Sequence, residues 1–320
     1  MIIELLNRDK HIIQIKSIDE MPSDLYDICS IQIIDYNQED IKNLEKLFNI
    51  NTAILNNSKD IEISSHYLEE ATQLAFNFSF PYFTPQDKIE EVVISFILKE
   101  EIMFSFMAVN FEQFIPENKK KEHFENIKTL PFTLDSFLLM MIGIVPDYFA
   151  DLTEVMAKNI KTIYSNLQKQ KDFSEQELDE ITALKFNNLI VKESLDEFRR
   201  ILHLLRKSKK LTSEIKENIF SELNDLNVIN EYVQNNFERL NDLKDYVSNK
   251  IDLEQNRIFK TLTIITTCIS LPMLVAGFYG MNFKYMPELE WKYGYIYVIL
   301  LLLVSFVGPL IWFKRKKWLR

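Results

Sequence analysis

The chain has 320 residues, 47% of them hydrophobic and 26% charged, with a formal net charge of −10 at pH 7. That acidic balance excludes a basic nucleic-acid surface. With five glycines, and only Gly143 before residue 277, no glycine-rich loop can cradle a nucleotide phosphate. Two cysteines and four scattered histidines offer neither a zinc site nor a metalloprotease spacing. An enzyme is therefore the least expected class, and no cofactor is expected.

The opening MIIELLNRDK has acids and bases where a targeting segment would be apolar, so the chain is expected to start in the cytosol. Residues 1–130 are expected to form a cytosolic α/β domain. HIIQI (11–15), SIQIID (30–35), VVISFIL (92–98) and IMFSFMAV (102–109) read as strands, the last two as a hairpin about Lys99-Glu100-Glu101. Residues 38–48 and 67–76 read as helices.

Beyond Pro131 the pattern turns helical, and between Pro146 and Pro272 there is neither proline nor glycine. Residues 131–257 are expected to be long helices with brief turns near 171–174 and 209–213. From Ile219, the positions Leu223, Leu226, Asn230, Val233, Phe237, Leu240, Lys244, Val247 and Ile251 step by alternating fours and threes. That 3.5-residue repeat buries a seam against other helices, with Asn230 and Lys244 as polar interruptions. No breaker follows, so 211–282 is expected to be one helix.

No charged side chain lies between Lys260 and Lys284, and none between Tyr293 and Phe313. Residues 258–283 and 293–313 are therefore expected to be transmembrane helices, joined by a loop at 284–292. The tail at 314–320, KRKKWLR, is strongly basic, while Glu288 and Glu290 offset the lysines of the loop. The positive-inside rule places both termini in the cytosol and the loop outside, as in a multi-pass protein of the inner or plasma membrane. Tyr279, Tyr285, Trp291, Tyr293 and Tyr295 fall at one interface, and Trp312 and Trp318 at the other. At 100° per residue, Asn256, Phe259, Thr263, Thr266, Ser270, Met273 and Gly277 share one sector of the first span. Such a stripe of small and polar residues either packs on a neighbouring helix or faces water.

IDLEQNRIFK (251–260), LVAGFYGMNF (274–283), YMPELEWKYGY (285–295) and WFKRKKWL (312–319) together resemble the CorA family of magnesium channels. The resemblance implies a homopentamer whose first span lines a central pore, with the second span outside it and a cytosolic funnel of long helices below. It also implies that Gly280, Met281 and Asn282 form an outer selectivity filter. On that basis a ring of Asn282 amide oxygens would hold the water shell of Mg²⁺, an ion that dehydrates reluctantly, and Gly280 would let the backbone turn tightly before it. Carried over by position, pore-facing residues fall at Asn256, Phe259, Leu262, Ser270, Met273 and Asn282, mostly on the stripe that also holds Thr263, Thr266 and Gly277.

Phe259 and Ser270 replace aliphatic residues or methionine. Lys284 stands where relatives often have an acid, which leaves Glu288 as the outer acid. The family's regulatory aspartates would fall near Ser221, Glu222, Asn224 and Asp225, where only Glu222 and Asp225 can ligate a cation. The expected function is passive Mg²⁺ uptake driven by membrane potential, with Mg²⁺ as cargo and as regulatory ligand. Its expected partners are copies of itself, membrane lipid and divalent cations, not nucleic acid or nucleotide. Two alternatives are transport of Zn²⁺, Co²⁺ or Ni²⁺, and a non-transporting membrane-anchored coiled-coil scaffold or sensor, which leaves GMN and MPEL without a role.

Overall fold

The computed structural model describes residues 1–8, 11–22, 25, 27–56, 66–85, 88–108, 133–170, 173–281, 284 and 286–318. The chain divides into two units, 1–171 with 178–243 and 172–177 with 244–320.

The first unit is built on a seven-stranded sheet. Its strands are β1 (Ile2–Asn7), β2 (Ile12–Ile15), β3 (Ile28–Ile34), β4 (Tyr67–Glu69), β5 (Gln73–Phe83), β6 (Ile89–Lys99) and β7 (Ile102–Met107), in the order β2-β1-β3-β7-β6-β5-β4. Among the described strands only the β3/β7 pair is parallel, with Ile31 opposite Phe104. β6 and β7 form the expected hairpin about Glu100-Glu101, and Glu100 adopts a φ of 55° that glycine or asparagine would accept more easily.

Strand alternation sorts the side chains into two cores. On one face Ile3, Leu5, Ile31, Ile33, Phe104 and Phe106 pack with Leu44 of α1 (Gln38–Phe48) and Ile54 of α2 (Ala53–Asn56). α1 starts where expected because Asn37 and Asp40 cap each other: the Asn37 Oδ1 accepts from Glu39 N at 2.8 Å and Asp40 N at 3.0 Å, while Asp40 accepts from Asn37 N. On the other face Phe76, Phe78, Phe80 and Phe96 meet three long helices.

Those helices are α3 (Leu134–Lys169), α4 (Glu175–Lys207) and α5 (Ser213–Tyr279). They are separated by short turns close to the two expected. α3 is long and apolar enough to cross a membrane, yet 39% of its most apolar stretch is buried, against 11% for α5. Leu138, Ile142, Val145, Phe149, Leu152 and Met156 recur every three or four residues and are committed to the sheet-side core. That makes α3 a core helix rather than a third span.

Two expectations need correction. Residues 67–76 are not a helix: they form β4 and the start of β5. Their apolar positions have helical spacing, but β6 supplies backbone partners from Gln73 opposite Lys99 onward. Gln73, 2% exposed, exchanges hydrogen bonds of 2.8 Å with the backbone of Asn51 in both directions, which locks the strand in place. Pairing along a whole strand outweighs the weak local preference for helix. β1 also escaped the sequence reading; it pairs with β3 through Ile3 and Ile33.

The α5 seam is the second correction. Leu223, Leu226, Val233, Leu240 and Val247 are buried as expected, but Ile229, Asn236 and Leu243 fill the intervening positions in place of Asn230, Phe237 and Lys244. α5 lies against α3 and α4 of its own chain; Ile229 and Leu243 rotate Asn230 and Lys244 toward the flank, while Asn236 is buried in place of Phe237. Contacts with α4 fix that rotation: Asn188 donates to the Val233 carbonyl at 3.1 Å, and the Arg206 guanidinium sits 4.5 Å over the Phe220 ring. The helix also stops at Tyr279, three residues short of the expected end.

The second unit contains the remainder of α5, a 3-10 turn at Pro287–Leu289, and α6 (Gly294–Arg315). Ile264 and Cys268 of α5 are buried against Phe313 and Leu310 of α6. Leu262, Ile265, Ile269, Met273, Leu274 and Phe278 are each more than 50% exposed, as are Ile296, Leu300, Leu303 and Val304. An apolar surface of that extent on two helices of spanning length fits a lipid environment. Past α6, Trp318 N donates to the Phe313 carbonyl at 3.1 Å and Lys317 N to that of Lys314 at 3.1 Å, with Lys317 at φ 57°. The Trp318 ring folds back to 5.4 Å from Phe313, the hydrophobic contact that completes this kind of helix cap.

Candidate functional site

The polar stripe of α5 occupies one free face of the helix. Asn256, Phe259, Leu262, Thr263, Thr266, Ser270, Met273 and Gly277 are all exposed, whereas Ile264 and Cys268 are buried against α6. At 100° per residue the centres of the stripe and of the α6-facing side are about 160° apart. α6 is therefore not the neighbour that the small and polar residues face.

The chemistry of the stripe follows from its hydroxyls. Thr263 Oγ1 donates to the Phe259 carbonyl at 2.7 Å, Thr266 Oγ1 to Leu262 at 2.8 Å, and Ser270 Oγ to Thr267 at 3.4 Å. With each proton turned back onto the helix, the oxygen lone pairs point outward. The exposed face presents neutral acceptors and no fixed charge, and such a surface can hydrogen-bond to the waters around a cation without binding the ion tightly.

The stripe ends in the GMN tripeptide. Gly280 N donates to the Ala276 carbonyl at 2.9 Å, and Met281 N to that of Phe278 at 3.3 Å, closing the last turn. No described glycine has a positive φ, so the expected tight turn at Gly280 does not use glycine's left-handed freedom. A β-carbon there would lie 3.1 Å from the Ala276 oxygen, a tight contact, and 3.6 Å from that of Gly277, an ordinary one. Met281 is 48% exposed, while Asn282 lies outside the described residues, as do Phe283 and Tyr285. In the loop, Met286 is buried and Lys284 and Glu288 are exposed.

The candidate regulatory acids, Glu222 and Asp225, are not brought together as a metal site. Glu222 is half-buried and turned toward α3, its Oε1 4.0 Å from the position of a β-carbon on Gly143. Asp225, on the same helix, is exposed. Among the described residues no group of three or more His, Cys, Asp or Glu is arranged to hold a metal ion.

Burial, then the charges of Asp225 and Asp147, push the Glu222 carboxyl up from 4.5 to about 7. The folded chain thus holds that proton more tightly than the unfolded chain. Its contribution to stability is full below pH 4.5 and is lost as pH rises through about 7. Glu222→Gln, which cannot ionise, should therefore melt higher than the parent at pH 8 with divalent cations chelated, and together with it near pH 4.5. The gain should be about 1–2 kcal/mol after allowance for solvent screening. A variant less stable than the parent at pH 8 would show that the carboxylate is favourably paired.

Comparison with known proteins identifies the family and the fold. Residues 30–315 match the family model described as CorA-like Mg²⁺ transporter protein. The magnesium transport protein CorA of Wolinella succinogenes is 26% identical over 308 residues, covering 94% of each chain. That of Campylobacter jejuni is 28% identical over 305 residues, covering 91% of each. Among solved structures, the complete CorA magnesium transporter from Methanocaldococcus jannaschii superposes with a TM-score of 0.77 at 19% identity, covering 100% of this chain and 99% of that one. The sheet, the long helices and the two apolar helices thus share the fold of a known transporter from end to end, and the chain belongs to the CorA-like Mg²⁺ transporter family.

Proposed function

We propose that the chain is a homopentameric channel for passive Mg²⁺ uptake. The observation that carries this reading is the α5 stripe, exposed along its length, turned away from α6 and ending at Gly280, Met281 and Asn282. Five copies around an axis enclose a pore lined by Asn256, Phe259, Leu262, Thr263, Thr266, Ser270, Met273 and Gly277. Five Asn282 amides form the outer filter. The relatives named for magnesium transport support the choice of ion.

The chemistry of the ion explains the neutral lining. Mg²⁺ keeps its waters, so a filter for the hydrated ion needs acceptors for water hydrogens rather than carboxylates that would trap the ion. The driving force needs no nucleotide. A 100 mV potential acts on a divalent ion with about 4.6 kcal/mol, enough for about three decades of accumulation. Two spans, with both termini cytosolic, put GMN and the exposed acid Glu288 outside, where cations arrive. Glu222 and Asp225 are the remaining candidates for sensing internal Mg²⁺. With one of them turned onto α3, this sensing is weak.

Expression in bacteria stripped of their own Mg²⁺ uptake systems should restore growth at low external Mg²⁺. Chain that reaches the membrane, assembles and gives no growth would count against the reading, and growth rescue confined to Zn²⁺, Co²⁺ or Ni²⁺ limitation would move it to another ion.

A further inference from the structure

We propose that Gly294 is a positioning residue for the external acid Glu288, acting through a direct contact between two stretches of backbone. Gly294 is buried and opens α6; its N–H donates to the Trp291 carbonyl at 2.9 Å. A β-carbon on it would lie 2.1 Å from the Glu288 carbonyl oxygen, 3.2 Å from the Glu288 carbonyl carbon and 3.8 Å from the Trp291 β-carbon. Backbone atoms cannot swing aside as a side-chain tip can. By contrast, Gly277 and Gly308 have nothing within 4 Å of such a carbon. Gly294 has no positive φ, so glycine is required for close approach alone.

The turn at Pro287–Leu289 is held from both sides. Met286 before it is buried, at 9% exposure, and Pro287 fixes the backbone of its first residue. On the other side it rests on Gly294. Glu288 therefore carries an exposed carboxylate on a fixed stem. The attraction of an acid for an approaching divalent ion falls with distance and is screened by salt within about 10 Å. A fixed stem thus keeps the charge where it acts. Any side chain at 294 forces the Glu288 carbonyl to move by about 1 Å to reach ordinary contact, which carries the acid away with it.

This inference rests on the channel reading, and the test separates the two. In proteoliposomes of the full chain, initial Mg²⁺ uptake is measured against external Mg²⁺ for the parent, Glu288→Gln, Gly294→Ala, the double variant, and Gly308→Ala as control. Glu288→Gln and Gly294→Ala should each raise KM by about threefold or more, with the maximal rate within about twofold of the parent. The double variant should be no worse than Glu288→Gln alone, because the displaced acid is already absent. Gly308→Ala should match the parent. An unchanged KM in Gly294→Ala, a loss confined to maximal rate, or multiplying effects in the double variant would each overturn the proposal. Should Gly294→Ala fail to assemble, or the parent carry no Mg²⁺, amide exchange of the parent protein decides the matter. Residues 288–294 should exchange far more slowly than a free peptide, and exchange at the free-peptide rate would overturn the bracket.

Discussion

Asn282→Ala should reduce Mg²⁺ uptake by at least about a hundredfold while the protein still inserts and assembles. A neutral hydrogen bond contributes about 0.5–1.5 kcal/mol net. If five Asn282 amides hold the ion's water shell, as proposed, their loss removes about 2.5–7.5 kcal/mol, or about two to five decades in rate or affinity. In the sequence the change lies three residues past the end of α5, whose packing residues, Ile264 and Cys268, are more than ten residues earlier. Fold and assembly should be spared. Uptake per assembled oligomer is the quantity to measure, and near-normal uptake would remove Asn282 from the filter.

Phe198→Ala should have the largest effect on stability. Phe198 is 0% exposed, with ring centroids 4.7 Å from Phe78 of β5 and 6.3 Å from Phe149 of α3. It is where the sheet and two of the long helices meet. Truncation of a buried phenylalanine costs about 3–5 kcal/mol, as lost apolar burial plus the cavity left behind. Against the usual 5–15 kcal/mol of a domain, that should leave much of the chain protease-sensitive at 37 °C. Phe259→Ala, at a position 63% exposed on the stripe, is the contrast and should leave thermal unfolding nearly unchanged. A loss below about 1 kcal/mol in Phe198→Ala would mean that the core relaxes around the gap.

The parts of the fold legible in the sequence are those where one strong pattern acts alone. Uncharged runs mark α5 and α6, absence of glycine and proline marks the long helices, and β-branched runs mark β3, β6 and β7. The misreadings come where a partner decides. Residues 67–76 carry helical spacing, and the β6 edge and the amide of Gln73 make them strand. The α5 seam was traced through Asn230 and Lys244 because a repeat read from one chain cannot tell which of two adjacent residues faces α4. Apolarity alone would make α3 a third span, and only the sheet beneath it shows otherwise.

The stripe on α5 was readable from angle, but not the side that α6 covers, since that depends on Cys268 and Phe313 meeting from distant positions. Gly294 was the least visible. The proposal for it rests on a β-carbon there falling 2.1 Å from a carbonyl six residues earlier, and no spacing rule encodes that. Asn282, the proposed filter residue, came into view by resemblance, as a residue whose type suits a hydrated ion.

The most direct test of the central claim is ion flux through purified protein in sealed proteoliposomes holding a Mg²⁺-sensitive dye. A valinomycin-set, inside-negative potassium potential supplies the drive in the absence of any nucleotide. Mg²⁺ should enter when the potential is imposed, stop when it is collapsed, and exceed entry of Co²⁺, Ni²⁺ or Zn²⁺ at equal concentration. Assembled protein that passes no Mg²⁺ under that potential, or that moves it only with ATP present, would contradict the account of a passive magnesium channel.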